Sequence, residues 1–301
     1  MNKFFFDKIV IGTWPLSGDY GKVNLEVIQR TLESCYDNNL REFDTAPSYG
    51  NGFMEFCLGK VLGDRKDILI NTKIGNVPFK GKTFKIDDLK TSFEQSLKRL
   101  SVDSVNVLFL HNPRGDIDNF EETIELMNLL KSEGKIKSSG VSLAKNHSYT
   151  QNFLNEFDFV QDDGNLLDMR FLNLKLPNHA KFMARSPLAS GILSGKINKE
   201  TLFQCDDHRS QWLKEDRLKS IMKRVDEIKK VSDLELIDLA KKFTLSNKKI
   251  NKVIFGIKNV GHVESILESS DSLALSKDIE MQLVKLYKDD FGLKDESHLA
   301  L

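Results

Sequence analysis

The chain reads as an α/β protein folded into one (β/α)₈ barrel of the TIM type, a single domain over residues 1–301 with a long loop after the seventh strand and a C-terminal helix and tail. Three observations predict it. Eight short apolar runs recur along the 301 residues, nearly every one followed by apolar residues at helical spacing. The runs are continuous rather than alternating, as expected of parallel strands covered on both faces. The alternative, an open doubly wound sheet, would want G-x-G-x-x-G after an early strand for a dinucleotide at its switch point, and the sequence has none.

In chain order, Phe4 to Phe6 is expected as a short strand ahead of the first principal strand at 8–14. Leu25, Ile28, Leu32 and Cys35 follow at helical spacing. Strand two, 41–44, ends where Pro47 and Gly50-Asn51-Gly52 impose a loop, and a helical stretch through Leu58 and Leu62 leads to strand three at 68–73. Asp87 and Asp88 suit the positive N-terminal end of a helix whose stripe is Leu89, Phe93, Leu97 and Leu100. Strand four, 105–111, precedes a helix marked by Phe120, Ile124, Met127 and Leu130, with Gly134 placed as its C-terminal cap. Strands five, six and seven are expected at 136–142, 157–161 and 181–186. A polar stretch from about Ser190 to Arg209 follows, then helical patterns to Leu245, in which the charged run 214–230 is a solvated helix face. Strand eight, 253–256, an amphipathic segment 260–267, a helix 279–287 and a polar tail complete the chain.

Composition narrows the class of partner. With 40% hydrophobic and 29% charged residues and 44 basic against 44 acidic side chains, the chain is a soluble globular type with no electrostatic invitation to nucleic acid. The first eight residues are too short and too soon charged for a signal peptide, and no apolar run reaches membrane-span length, so no membrane partner is expected. Three cysteines without a Cys-x-x-Cys spacing imply reduced thiols, a cytoplasmic location and no structural metal.

Three strands end in chemistry. Asp44 closes strand two and Tyr49 follows in its loop, Lys73 closes strand three, and His111 closes strand four. In a barrel of this kind functional groups gather at the C-terminal strand ends. An ammonium beside a phenol favours the phenolate and moves Tyr49 towards useful acid–base strength, Asp44 keeps Lys73 charged, and His111 can donate to a carbonyl oxygen. Taken singly, each has a plain alternative: a strand-end turn for Asp44, a solvated lysine, a near-core histidine, and a tyrosine packed on the barrel rim. The four together, in order at successive strand ends, point to carbonyl chemistry.

These residues resemble a known family, the aldo-keto reductases. The likeness covers nearly the whole chain: Gly12-Thr13-Trp14, Phe43-Asp44-Thr45-Ala46-Pro47-Ser48-Tyr49-Gly50, Thr72-Lys73, Leu110-His111, Gly140-Val141-Ser142, Gln161 and Ser186-Pro187-Leu188-Ala189-Ser190-Gly191. It implies an NAD(P)(H)-dependent oxidoreductase that interconverts a carbonyl and its alcohol, with Tyr49 as general acid or base, Lys73 and Asp44 tuning it, and His111 orienting the carbonyl. For the cofactor it implies Gly12, Thr13, Trp14 and Asp44 near the reacting end and Ser142 and Gln161 on the carboxamide. Arg185 stands where many members place a stacking Tyr. Ser186, Leu188, Ser190, Gly191 and Lys196 follow the pyrophosphate, and Gly256, Lys258 and His262 lie towards the adenosine phosphate. Asp207-His208-Arg209 resembles part of the loop that folds over the cofactor. Lys258 favours NADP(H) over NAD(H). Leu143 replaces an Asn that usually follows the Ser, and Ser265-Ile266 replaces a Glu-Asn pair at the adenine.

The substrate is expected to be a small carbonyl or alcohol, with a sugar or nucleotide sugar suggested by the Asp-Thr-Ala-Pro-x-Tyr-Gly-x-Gly pattern. Trp14, Tyr49, Phe53 and His111 are expected to line its pocket, Met54 and Phe56 beside them, and Arg114 to steer an anionic substrate or serve as a surface arginine. A monomer or small homo-oligomer is expected. Two other functions are open at this point. One is a regulatory protein of the same fold that holds the cofactor with little turnover. The other is a lyase forming a Schiff base on Lys73, which would need that lysine neutral.

Overall fold

The computed structural model describes residues 3–114, 117–145, 147–268 and 274–293. Among them, eight parallel strands close into a barrel in which sequence neighbours are spatial neighbours all the way round. The strands are β1 (Ile9–Gly12), β2 (Glu42–Asp44), β3 (Leu69–Ile74), β4 (Val105–His111), β5 (Ile136–Ser142), β6 (Phe159–Asp163), β7 (Lys181–Arg185) and β8 (Lys252–Gly256). Closure comes from β1 against β8, with Gly12 opposite Gly256. The register sets Gly12 beside Asp44, His111 beside Ser142, Ser142 beside Gln161, and Asp163 beside Arg185. One rim of the barrel therefore carries nearly every polar strand-end residue that the sequence singles out.

Inside the barrel, Val10, Val107, Phe109, Phe159, Met183 and Ile254 form a compact apolar plug. Phe109 lies across Gly140, where an added Cβ would come within 2.5 Å of its ring. On the same strands Glu42 accepts from Asn71 Nδ2 at 2.9 Å and from Lys252 Nζ at 2.6 Å, so the inward polar groups are paired. The larger core lies between the strands and the surrounding helices. Of these, Leu25–Asp37 is capped by the Asn24 side chain on the Val27 amide, and Glu215–Lys229 buries Leu218, Ile221, Val225 and Ile228; the charged run expected to be solvated also buries Arg224, which donates to Asp290 at 3.2 Å.

Three stretches depart from expectation for a local reason. Lys3–Lys8 is a helix rather than a short strand. One helical turn brings Phe5 into the core and lets Lys8 Nζ donate to the carbonyls of Leu245 and Asn247, an arrangement that strand alternation would split between two faces. Trp14 leaves the first strand for a 3₁₀ turn, Trp14–Ser17, started by Pro15. β6 begins and ends two residues later than expected, because Asp162 and Asp163 remain in the ladder opposite Ala184 and Arg185. Between β6 and β7 the chain makes a single 3₁₀ turn, Arg170–Asn173. The polar tail beyond residue 293 lies outside the described residues.

The two aspartates of β6 sit in opposite electrostatic situations. Burial raises the carboxyl of Asp163, but the charges of Arg185 and Lys145 outweigh it and hold the pKa at about 2. At Asp162 burial dominates over Arg185, and Asp163 adds to it, so its pKa climbs to about 6. A carboxyl that binds its proton more tightly folded than unfolded contributes stability that is lost as the pH rises from about 4 through 6. Asp162→Asn should therefore gain stability over the parent by about 2 kcal/mol between pH 4 and pH 7, read from urea unfolding at the two pH values. An advantage independent of pH would refute it. A second expectation concerns Gly59, in the helix Phe53–Leu62, where an added Cβ would lie 2.2 Å from the Arg99 carbonyl. Gly59→Ala should cost at least about 2 kcal/mol in the same assay, the two helices being forced apart.

Candidate active site

The site is built around a buried ammonium. Lys73 is 1% exposed and donates to Asp44 Oδ1 at 2.5 Å, to the Thr45 carbonyl at 2.8 Å and to Tyr49 Oη at 3.1 Å. All three of its donors are used. Asp44 and Lys73 come from adjacent strands, and the turn at 45–49 (Tyr49 amide to Ala46 carbonyl, 3.0 Å) folds Tyr49 back over them. Burial opposes the charge on Lys73, yet Asp44 and then Tyr49 outweigh it, and its pKa lies above the ordinary lysine value. The neutral amine required for a Schiff base is thus disfavoured.

Tyr49 departs from the simple expectation of a lowered pKa. Burial raises it, Lys73 pulls it back, and the net displacement is upward, so the hydroxyl is protonated at neutral pH with an ammonium already bonded to its oxygen. Trp14 stacks on Tyr49 at 6.0 Å between ring centres, and His111 meets its edge at 6.1 Å. His111 is pushed well below the usual histidine range by burial and then by Lys73, Arg185 and Lys82. Its Nδ1 is buried without a hydrogen-bond partner. A neutral imidazole thus stands beside a phenol that holds its proton, both on the wall of one cleft.

The polar chain continues across the rim. Gln161 Nε2 donates to the second oxygen of Asp44 at 3.0 Å, and Ser142 Oγ donates to Gln161 Oε1 at 2.8 Å. Arg185 donates to Ser142 Oγ at 2.8 Å, to the Leu143 carbonyl at 2.9 Å and to Asp163 at 3.1 Å. Burial acts against the Arg185 charge, but Asp163 and Asp162 keep it firmly protonated. The Leu143 side chain packs in the core, and its carbonyl accepts from Arg185 at 2.9 Å.

From this floor a cleft of about 1450 Å³ runs along the rim to β8, lined by Ser186, Leu188, Ser190, Gly191 and Lys196 and then by Gly256, Lys258 and His262. Ser186, Ala189, Ser190 and Gly191 all have positive φ, which curls the backbone after β7 around this space. Two loops meet across it. The His208 amide donates to the Asp19 carbonyl at 2.6 Å, Arg209 Nη1 donates to the Ser190 carbonyl at 3.1 Å, and Lys258 Nζ donates to the Tyr20 carbonyl.

Of the residues singled out in the sequence, Gly12, Trp14, Asp44, Tyr49, His111, Arg114, Ser142, Gln161 and Arg185 line the same cleft as Ser265 and Ile266. Lys73 lies beneath its floor. Thr13 and Phe53 do not line it. Thr13 is buried, its hydroxyl donating to the Asp44 carbonyl at 3.1 Å, and Phe53 points outward from the start of its helix, as Phe56 does, while Met54 is core. The sequence reading missed Asp163, Asn112 and Lys82. Asp163 sits two residues past Gln161 on the same strand face, a signal period-two alternation would have given had the strand not been ended early. Lys82 had no local signal. Among the described residues, no group of three or more His, Cys, Asp or Glu is placed to hold a metal ion, and no helix is long and apolar enough to cross a membrane.

A family model described as "Aldo/keto reductase family" matches residues 8–287. Among curated relatives, an aldo-keto reductase, YhdN, of Bacillus subtilis is 26% identical over 279 residues, covering 87% of this chain and 84% of the relative. A probable voltage-gated potassium channel subunit beta of Arabidopsis thaliana is 25% identical over 300 residues (91% and 90%). The L-galactose dehydrogenase of the same plant is 28% identical over 270 residues (84% and 81%). With the family model spanning almost the whole barrel, the chain belongs to the aldo/keto reductase family of NAD(P)(H)-using oxidoreductases.

Proposed function

We propose that the protein interconverts a small carbonyl compound and its alcohol, with Tyr49 exchanging the proton at the oxygen. The observation that carries this reading is the Tyr49 hydroxyl held at 3.1 Å by a buried ammonium, beside a His111 imidazole that burial and nearby cations keep neutral. In reduction Tyr49 donates its proton to the carbonyl oxygen, and Lys73 stabilises the phenolate left behind. In oxidation the phenolate takes the proton back. His111 donates to the same oxygen and fixes the carbonyl's direction. Asp44 keeps Lys73 charged, and Trp14 packs on the Tyr49 ring.

The donor set of the cleft fits NAD(P)(H). A carboxamide needs one donor and one acceptor, which Gln161 and Ser142 present at the floor. The left-handed turns from Ser186 to Gly191 bring backbone close to a diphosphate, and Lys196, Lys258 and His262 supply positive charge farther on. Bound there, the nicotinamide would supply or take the hydride. NADP(H) is preferred in this reading because Lys196 and Lys258 both act on His262 at that end. The L-galactose dehydrogenase among the relatives supports a sugar-like substrate. The free thiols Cys35, Cys57 and Cys205 suit a reducing compartment, and we place the protein in the cytoplasm. The resemblance to a channel beta subunit favours a second reading, a cofactor-holding regulator with slow turnover.

Three outcomes decide among these. Tyr49→Phe should lower kcat for carbonyl reduction by roughly 10²–10⁴-fold while NADPH still binds in a fluorescence titration. Binding without turnover in the parent would favour the regulator. Because burial lifts Tyr49 above the ordinary phenol range, it stays protonated at neutral pH, so reduction should be flat from about pH 6 to 9 and fall only above it. A limb centred near pH 7 would refute that assignment. Lys258→Ala should weaken NADPH binding by about tenfold and NADH binding far less, and equal weakening would remove the preference.

A further inference from the structure

The end of the cleft farthest from Lys258 carries positive charge that the reaction just described does not use. Beyond His111 the wall is made by Asn112, Arg114 and Lys82, the last on a short antiparallel hairpin, Asn76–Val77 with Gly81–Lys82, that follows β3. Lys82 Nζ donates to the Asn112 carbonyl at 2.7 Å. The loop it touches is held at two points: the Asn112 amide donates to the Ser142 carbonyl at 2.8 Å, and Tyr149 Oη donates to the Pro113 carbonyl at 2.6 Å. Arg114 follows directly on Pro113, and its side chain, like that of Lys82, is exposed.

Among the described residues, the carboxylates lining this cleft are Asp19, Asp44, Asp163 and Asp207, and each is already engaged. Asp19 accepts from the Trp14 indole at 2.5 Å, Asp44 from Lys73, Asp163 from Arg185, and Asp207 from Arg209 at 2.6 Å. None reaches Lys82 or Arg114. The charge that Lys82 feels is instead that of Arg114: burial first, and then this second cation, lower its pKa. Lys82 also acts on His111, so its charge is felt where the carbonyl would lie. Two like charges, one on a loop and one on a hairpin, at a stretch of cleft wall where no carboxylate among the described residues meets them, suit an anionic group.

We propose that the natural substrate carries an anionic group, a phosphate or a carboxylate, which Lys82 and Arg114 bind while His111 and Tyr49 hold the carbonyl. This rests on the carbonyl–alcohol reading of the site and adds the substrate's charge to it. Arg114 presents a planar fork matched to either oxyanion, and Lys82 a point charge beside it. Lys196, Lys258 and His262, which would hold the cofactor's phosphates, belong to the β7 and β8 side of the cleft and not to this pair.

The test compares matched carbonyls with the NADPH-loaded enzyme: D-glyceraldehyde 3-phosphate against D-glyceraldehyde, and succinic semialdehyde against butyraldehyde. One anionic member should exceed its neutral twin at least about tenfold in kcat/KM, and which pair shows it separates phosphate from carboxylate. In a Lys82→Gln, Arg114→Gln double variant that ratio should fall below about twofold. Equal use of both members in both pairs, or a preference that survives the double substitution, overturns the proposal. Turnover of none of the four would instead refute the carbonyl reading. The anion site is then decided by calorimetric titration of inorganic phosphate into NADP⁺-saturated protein. Saturable binding abolished in the double variant sustains it, and no saturable binding in the parent overturns it.

Discussion

The interaction on which the rest depends is the burial of Lys73. Taking an ammonium out of water costs several kcal/mol even after relaxation, and an ion pair recovers this only when every donor is satisfied. Here the donors go to a carboxylate on the neighbouring strand, a backbone carbonyl and a phenol on the following loop. The other Asp44 oxygen is held by Gln161 from β6, across the barrel mouth. One charge thus fixes β2, β3, β6 and the 45–49 turn relative to one another. That stiffness keeps Tyr49 on a single side of the cleft.

A second buried pair, Arg185 with Asp163, does comparable work on the far side. Arg185 contributes to holding His111 neutral, and Asp163 with Asp162 holds Arg185 in place. The two pairs are joined through Ser142 and Gln161, so the floor is one continuous network from Tyr49 to Asp163. Low local dielectric strengthens such a network and makes each unmet group in it costly. The buried Nδ1 of His111 has no hydrogen-bond partner within this network.

Much of this was legible before any coordinates. Residues at strand ends need only the strand count and the barrel rule, and Asp44, Tyr49, Lys73 and His111 fall out of both. What escaped was whatever depends on pairing over long distances. The sixth strand was ended at Gln161 because two aspartates look like a loop; their place in the ladder is secured by Arg185, which lies 22 residues from Asp163. The N-terminal run of phenylalanines has strand propensity, yet the barrel base needs a helical turn that sends Phe5 and Lys8 the same way. Phe53 looked like a pocket residue by proximity to Tyr49, but its helix starts after the left-handed Gly52 and turns it outward. The direction of the Tyr49 shift also needed structure, since only there can burial be weighed against the ammonium.

The cleft divides by the kind of element that builds it. Its floor is strand, and Asp44, Lys73, Ser142, Gln161 and Arg185 there are each locked by bonds to two or more partners. Its ends are loop and hairpin. At the β8 end Lys258 and Arg209 already spend donors on the carbonyls of Tyr20 and Ser190, holding the covering loops together. At the opposite end Lys82 spends one donor on the Asn112 carbonyl, while Arg114 meets no carboxylate among the described residues. An enzyme needs its proton donor fixed to fractions of an ångström, whereas recognition of a substrate's distant group needs only charge at the right distance. In the proposed reading the rigid floor accordingly bears the reaction, and the loop-borne cations select which carbonyl is accepted.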